Sequence, residues 1–137
     1  MITAVDTSVL LDVFTADPTF GPASRDCLEK CLAGGAVLAC AVVWAETSAL
    51  FPDPDSAQAA MNTLGAAFSA LDQRTALSAG EAWRSYRKRV GSRSRMIADF
   101  LIGAHASLQA DRLLTRDRGF YRSYFPGLTV IDPAVER

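Results

Sequence analysis

The chain has 137 residues, half of them apolar and 21% charged, which is the make-up of one folded globular domain and excludes a disordered chain. No apolar run reaches the roughly 18–20 residues of a membrane span, and Met1 to Asp6 lacks the basic start and long apolar core of a secretion signal. A single soluble, cytoplasmic domain over residues 1–137 is expected, with a net charge of −1 that gives no overall attraction to nucleic acid.

Ile2 to Val5 is a short apolar stretch that suits a buried strand, and Asp6-Thr7-Ser8 then opens a helix carrying Val9, Leu10 and Val13 until Asp17-Pro18 breaks it. A second helix is expected over Pro22 to Ala33, ended by Gly34-Gly35, followed by a strand at Ala36 to Cys40. Val42 to Leu50 reads as a helix stopped by Pro52 and Pro54. Ser56 to Phe68 looks helical, with Ala60, Leu64 and Phe68 four apart, and a short strand is placed near Phe68 to Leu71. Ser78 to Val90 is a helix carrying much of a basic run, Arg84 to Arg95, that contains no acid. The Gly91 to Ser94 stretch is a loop, and Met96 to Ala110 is the most strongly patterned helix. A strand at Arg112 to Thr115, a helical turn at Arg118 to Tyr124 and a strand at Leu128 to Ile131 complete the chain. Short apolar strands alternating with helices predict a three-layer α/β/α fold around a mainly parallel sheet of about four or five strands.

Four acids stand out against this frame. In open parallel sheets ligands bind beyond the carboxyl ends of the strands, where strand order reverses. Asp6 and Asp117 fall just after predicted strands, and Glu46 lies about one turn into the helix after the second. Asp99 has Met96, Ile102, Gly103 and Ala106 as same-face neighbours, and a carboxylate in an apolar stripe is costly unless neutralised, paired or bound to a metal. Glu46 repeats that pattern among Val42, Val43, Ala49 and Leu50, so both helices are expected to carry an acid on the inward face. Gly103 is expected to remove bulk where its helix approaches the sheet. Singly, each acid is equally well read as a helix cap or surface ion pair; Asp6 and Asp117 both suit an N-cap.

Crowded carboxylates repel one another unless a cation sits between them. Oxygen ligands without histidine or cysteine suit Mg²⁺ or Mn²⁺ and argue against Zn²⁺. Such an ion generates hydroxide from bound water and stabilises a leaving oxygen, which is the chemistry of phosphodiester hydrolysis. His105 is the only histidine, about 120° around the helix from Asp99, and is expected to be partly buried or at the surface. Its solitude excludes two-histidine ribonuclease chemistry and a Ser-His-Asp or Cys-His hydrolase centred elsewhere. Cys27, Cys31 and Cys40 read as small buried apolar side chains.

The motifs Asp6-Thr7-Ser8-Val9-Leu10, Ala45-Glu46, Ala98-Asp99-Phe100-Leu101-Ile102-Gly103-Ala104, Leu113-Leu114-Thr115-Arg116-Asp117-Arg118-Gly119-Phe120 and the closing Gly127-Leu128-Thr129-Val130-Ile131 keep an order and spacing that resembles the PIN-domain family, specifically the VapC-like toxins of toxin–antitoxin pairs. The resemblance implies an acidic site carrying Mg²⁺ or Mn²⁺, endonucleolytic cleavage of RNA, homodimerisation, and inhibition by an antitoxin that packs near the site. It implies Asp6 and Asp99 as main metal ligands, Asp117 completing the metal shell, and Glu46 positioning or activating the attacking water. Ser8 and Thr115 are candidates to orient a carboxylate or phosphate through their hydroxyls, with local capping as the alternative. Phe100, where the family often has a small residue, either narrows the site or enters the core. Arg93 and Arg95, just before the Asp99 helix, are candidate RNA contacts, the alternative being a solvated basic face. Phe14, Phe20, Trp44 and Phe51 are expected mostly in the core, some available to an antitoxin helix.

Two other functions compete. A catalytically silent PIN-like module would bind RNA or protein, but this chain retains all four acids, at least one of which such modules usually lose. A haloacid-dehalogenase-type phosphatase needs an aspartate where Ser8 stands, and no lysine lies near Asp99.

Overall fold

The computed structural model describes residues 1–89 and 95–135. Along the chain run β1 (Ile2–Val5), α1 (Thr7–Phe14), α2 (Gly21–Gly34), β2 (Ala36–Cys40), α3 (Ala41–Ser48), α4 (Pro54–Leu64), β3 (Ala66–Ser69), α5 (Gln73–Arg89), α6 (Ile97–Gln109), β4 (Arg112–Leu114), α7 (Arg118–Tyr124) and β5 (Val130–Ile131). The strands form one sheet in the order β3-β2-β1-β4-β5, and every neighbouring pair is parallel. The expected α/β/α fold with a parallel sheet is therefore what forms. The chain builds outward from β1 through β2 to β3, then returns to lay β4 and β5 on the other side. Strand order thus reverses between β1 and β4, where Val5 pairs with Leu114.

The clearest departure from expectation is in the stretch read as helical from Ser56 to Phe68. Asp53 Oδ1 accepts the Ser56 N–H at 2.7 Å and Pro54 takes the first turn, so α4 starts earlier. It ends at Leu64 because Gly65 adopts φ +94°, a left-handed cap whose N–H bonds Met61 O at 3.0 Å. Phe68 therefore belongs to edge strand β3, where it is 57% exposed with its ring edge-on to Trp44 at 5.7 Å. Likewise α5 starts at Gln73 rather than Ser78, since Asp72 Oδ1 accepts the Thr75 N–H at 2.8 Å and caps an extra turn. The expected end of that helix at Val90 and the loop expected over residues 91–94 lie outside the described residues. At the far edge, β5 is shorter than expected: Val130 and Ile131 lie in register with β4 and the Leu113 N–H donates to Thr129 O at 2.9 Å, while the Leu128 N–H closes a turn onto Phe125 O.

The core joins Val5, Leu10, Leu28, Val37, Leu113 and Leu114 with an aromatic cluster on α5, α6 and α7. Phe100 is its fully buried centre, meeting Trp83, Tyr86, Phe120 and Tyr124 with ring centroids 5.1–5.6 Å apart. Phe100 thus enters the core. Gly103 admits Phe125: a Cβ there would lie 2.3 Å from the Phe125 ring, so its lack of bulk serves the α7 exit rather than the sheet. His105 is 1% exposed, more deeply buried than expected, and its Nε2 meets Ser69 Oγ at 2.8 Å, tying α6 to β3. All three cysteines are free and buried.

Candidate active site

Asp6 is the first residue after β1 and its N–H continues the sheet to Leu114 O at 2.9 Å. It occupies the N-cap position of α1, yet its side chain makes no cap hydrogen bond. Instead two hydroxyls converge on its Oδ2, from Thr115 at 2.6 Å and Ser8 at 3.2 Å. Only 7% of the residue is exposed. Burial pushes the Asp6 carboxyl up from 3.8 to about 6; the two hydroxyls oppose that shift, and the charge of Asp99 adds to it.

Asp117 follows β4, its N–H held at 2.9 Å by Thr115 Oγ1. It stands at the N-cap position of α7 without a side-chain cap bond. Both its oxygens face the Arg95 guanidinium: Nη1 donates to Oδ2, and Nη2 donates to Oδ1 at 3.2 Å. Asp99, half-buried in the first turn of α6, accepts the Met96 N–H on Oδ2 at 3.2 Å, so one of its oxygens does serve as a cap. Tyr121, 1% exposed, lies in the field of Asp6, Asp99 and Asp117; burial above all, reinforced by these three charges, raises its phenol. These three acids therefore share one neighbourhood beyond the ends of β1 and β4.

Glu46 is placed otherwise than expected. It is exposed on α3, whose buried residues are Val43 and Thr47, so the helix does not carry its acid inward. Glu46 is nevertheless held to the β1–α1 junction, where Thr7 Oγ1 donates to its Oε1 at 2.7 Å. Ser8 and Thr115 both donate to the Asp6 carboxylate, and Thr115 also accepts the Asp117 N–H at the start of α7, so it serves carboxylate and local turn together. Arg95 spends its guanidinium on Asp117 and stacks it over the Phe120 ring at 4.3 Å, while Arg93 lies outside the described residues.

Sequence reasoning passed over a fifth acid. Asp12, 3% exposed on α1, accepts from Arg116 Nε at 2.6 Å, from Arg116 Nη2 at 3.0 Å and from Ser24 Oγ at 2.8 Å. The Arg116 guanidinium also stacks 4.0 Å from the Phe20 ring, and the Arg116 backbone N–H donates to Ser8 Oγ at 3.4 Å. This pair clamps the Thr115–Asp117 loop to α1. The signal was present: Asp12 lies in an apolar run, Val9-Leu10-Leu11-Asp12-Val13, as Asp99 does.

The donor set suits a hard divalent cation. Asp6 in particular is a buried carboxyl whose side-chain hydrogen-bond partners are two neutral hydroxyls, so its ionised form has no countercharge in contact among the described residues, the situation a cation relieves. As the side chains stand, no group of three or more acids among the described residues is placed to hold a metal ion. Asp117 is engaged by Arg95 and Glu46 stands apart at the exposed rim.

The PIN domain family model matches residues 3–126, a span that contains all four acids. Among solved structures, a chain from VapBC2 of Rickettsia felis bound to a DNA fragment from their promoter is 18% identical with a TM-score of 0.74, over 96% of this chain and 98% of that one. A chain from VapBC-1 of nontypeable Haemophilus influenzae is 17% identical with a TM-score of 0.72, over 98% and 99%. More distant is VapC20 of Mycobacterium tuberculosis, a sarcin–ricin loop cleaving toxin, at 15% identity and a TM-score of 0.51 over 81% and 86%. No curated protein is significantly similar in sequence. The structural likeness establishes the shared fold, and the family match over nearly the whole length establishes descent: this chain belongs to the PIN domain family.

Proposed function

We propose that this protein is a Mg²⁺- or Mn²⁺-dependent endoribonuclease, the toxin of a toxin–antitoxin pair. The observation that carries the reading is the buried Asp6 carboxyl at the strand-order reversal, with Asp99 and Asp117 beside it. Asp6, Asp99 and Asp117 would hold the cation, which supplies an activated water and a Lewis acid for the phosphodiester. Thr115 and Ser8 keep Asp6 in a fixed rotamer, and Glu46, exposed beside Thr7, would orient the water. The likeness to chains from VapBC assemblies supports an antitoxin as partner, while a homodimer as the working state is carried over from the family resemblance alone. An apolar groove between α1, α2 and α4, lined by Val13, Phe14, Leu28, Leu32, Ala60 and Leu64, suits an amphipathic antitoxin helix. No described helix is long and apolar enough to cross a membrane.

The test incubates antitoxin-free protein with total RNA and Mn²⁺, beside Asp6→Asn and a chelator control. Discrete cleavage lost in both controls is expected. Cleavage surviving in Asp6→Asn refutes the assignment of this site, and an inert, folded, metal-loaded protein favours a binding module.

A further inference from the structure

Arg95 engages both oxygens of Asp117 end-on, and three contacts on different elements hold it there. Its guanidinium lies over Phe120 of α7, its backbone N–H donates to Tyr86 Oη of α5 at 3.1 Å, and Nη2 reaches Asp117 Oδ1 at 3.2 Å. The Asp117 contact is also the main cause raising the guanidinium's affinity for its proton, with Asp99 contributing. A carboxylate whose two oxygens both accept from one guanidinium has one lone pair of each oxygen committed to it, and a divalent ion approaching the lone pairs that remain would face the fixed positive charge a few ångströms away.

We infer that Arg95 is a resident counter-ion of the acidic site: it occupies Asp117 in place of the divalent cation, and metal loading requires its guanidinium to leave. This rests on the reading of Asp6, Asp99 and Asp117 as a metal site and adds the device that sets its affinity. The pair converts three crowded carboxylates into a site that is partly neutralised without metal. The closed pair lowers the fraction of molecules competent to bind, and apparent affinity falls by that fraction. A pair closed in nine molecules of ten weakens metal binding about tenfold.

The experiment is calorimetric titration of Mn²⁺ into the full-length wild type, Arg95→Met, Arg95→Lys and Asp117→Asn, with circular dichroism in chelator confirming that each is folded. Arg95→Met keeps an apolar stem over Phe120 and is expected to bind Mn²⁺ about tenfold tighter than wild type. Arg95→Lys retains the charge but not the fork and is expected between the two. Combining Arg95→Met with Asp117→Asn is expected to give no gain over Asp117→Asn alone, since the two residues act through one contact. Arg122→Met, which removes the same charge from the exposed side of α7, separates contact from general electrostatics and is expected to leave the affinity within twofold. Unchanged or weaker Mn²⁺ binding by Arg95→Met, or an equal gain in Arg122→Met, overturns the exchange while leaving the metal site intact. Absence of Mn²⁺ binding in every variant overturns the metal site itself, and the exchange with it.

Discussion

The Thr115 hydroxyl donates to Asp6 Oδ2 at 2.6 Å, joining two residues 109 positions apart across the β1–β4 pair. Thr115 Oγ1 also accepts the Asp117 N–H at 2.9 Å, so one fully buried hydroxyl orients two of the acids. Thr115→Val keeps the shape but leaves Asp6 Oδ2 and the Asp117 N–H each short of a partner. A loss of about 1–3 kcal/mol in urea unfolding is expected, with Thr115→Ser restoring most of it. An undiminished midpoint in Thr115→Val would show that neither bond contributes.

The raised Asp6 carboxyl makes a pH prediction of definite sign. The folded state holds the proton up to about 6, whereas the unfolded chain releases it near 3.8. The folded state therefore binds more protons between those values, and stability falls as pH rises through them. The contribution is fully present below about 3.8 and lost above about 6, with an amplitude on the order of 3 kcal/mol. Asp6→Asn removes this dependence. The difference between wild-type and Asp6→Asn unfolding free energies in chelator should therefore grow in favour of the variant from pH 4 to pH 7. A flat difference refutes it.

Arg116→Met would strand Asp12, a carboxylate 3% exposed, with Ser24 as its remaining recorded partner. Breaking a buried pair from one side is strongly destabilising, but the Arg116 side chain is 30% exposed and solvent screens part of the interaction. A loss of roughly 2–3 kcal/mol is expected by chemical denaturation. Hydrogen exchange should rise in the Thr115–Asp117 loop, which this pair ties to α1, and an unaltered exchange pattern there would contradict the clamp.

Gly103→Ala places a methyl 2.3 Å from the Phe125 ring. The ring must shift, at a cost of about 1–3 kcal/mol of overpacking that outweighs the helix propensity gained by alanine. Phe125→Leu should cost stability alone yet relieve the alanine, so the pair couples in a double-mutant cycle. Simple additivity would mean that α7 moves aside freely.

Much of the architecture was legible because local chemistry and tertiary packing agree. β2 at Ala36–Cys40 and α7 at Arg118–Tyr124 form where expected, and Asp6 and Asp117 fall at strand ends because short apolar strands are abruptly followed by polar residues. The errors lie where periodicity ran across a boundary set by a single residue. The Ala60, Leu64, Phe68 spacing continues past Gly65, but a left-handed glycine ends the helix whatever the apolar pattern beyond it. Glu46 has apolar neighbours in sequence, yet on a helix of eight residues Val43 and Thr47 form the buried face and leave Glu46 turned outward.

The sequence by itself determined the parallel α/β frame, the strand ends that carry Asp6, Thr115 and Asp117, and the acidic character of the site. Those follow from apolar runs and chain punctuation, which are local. Only the tertiary structure decided which charges meet. That Asp12 takes Arg116, that Arg95 takes Asp117, and that Thr115 rather than a helix end takes Asp6 depend on contacts 22 to 109 residues apart. Such pairings are chosen by the need to compensate each carboxylate as the fold removes it from water, and no local pattern records the outcome.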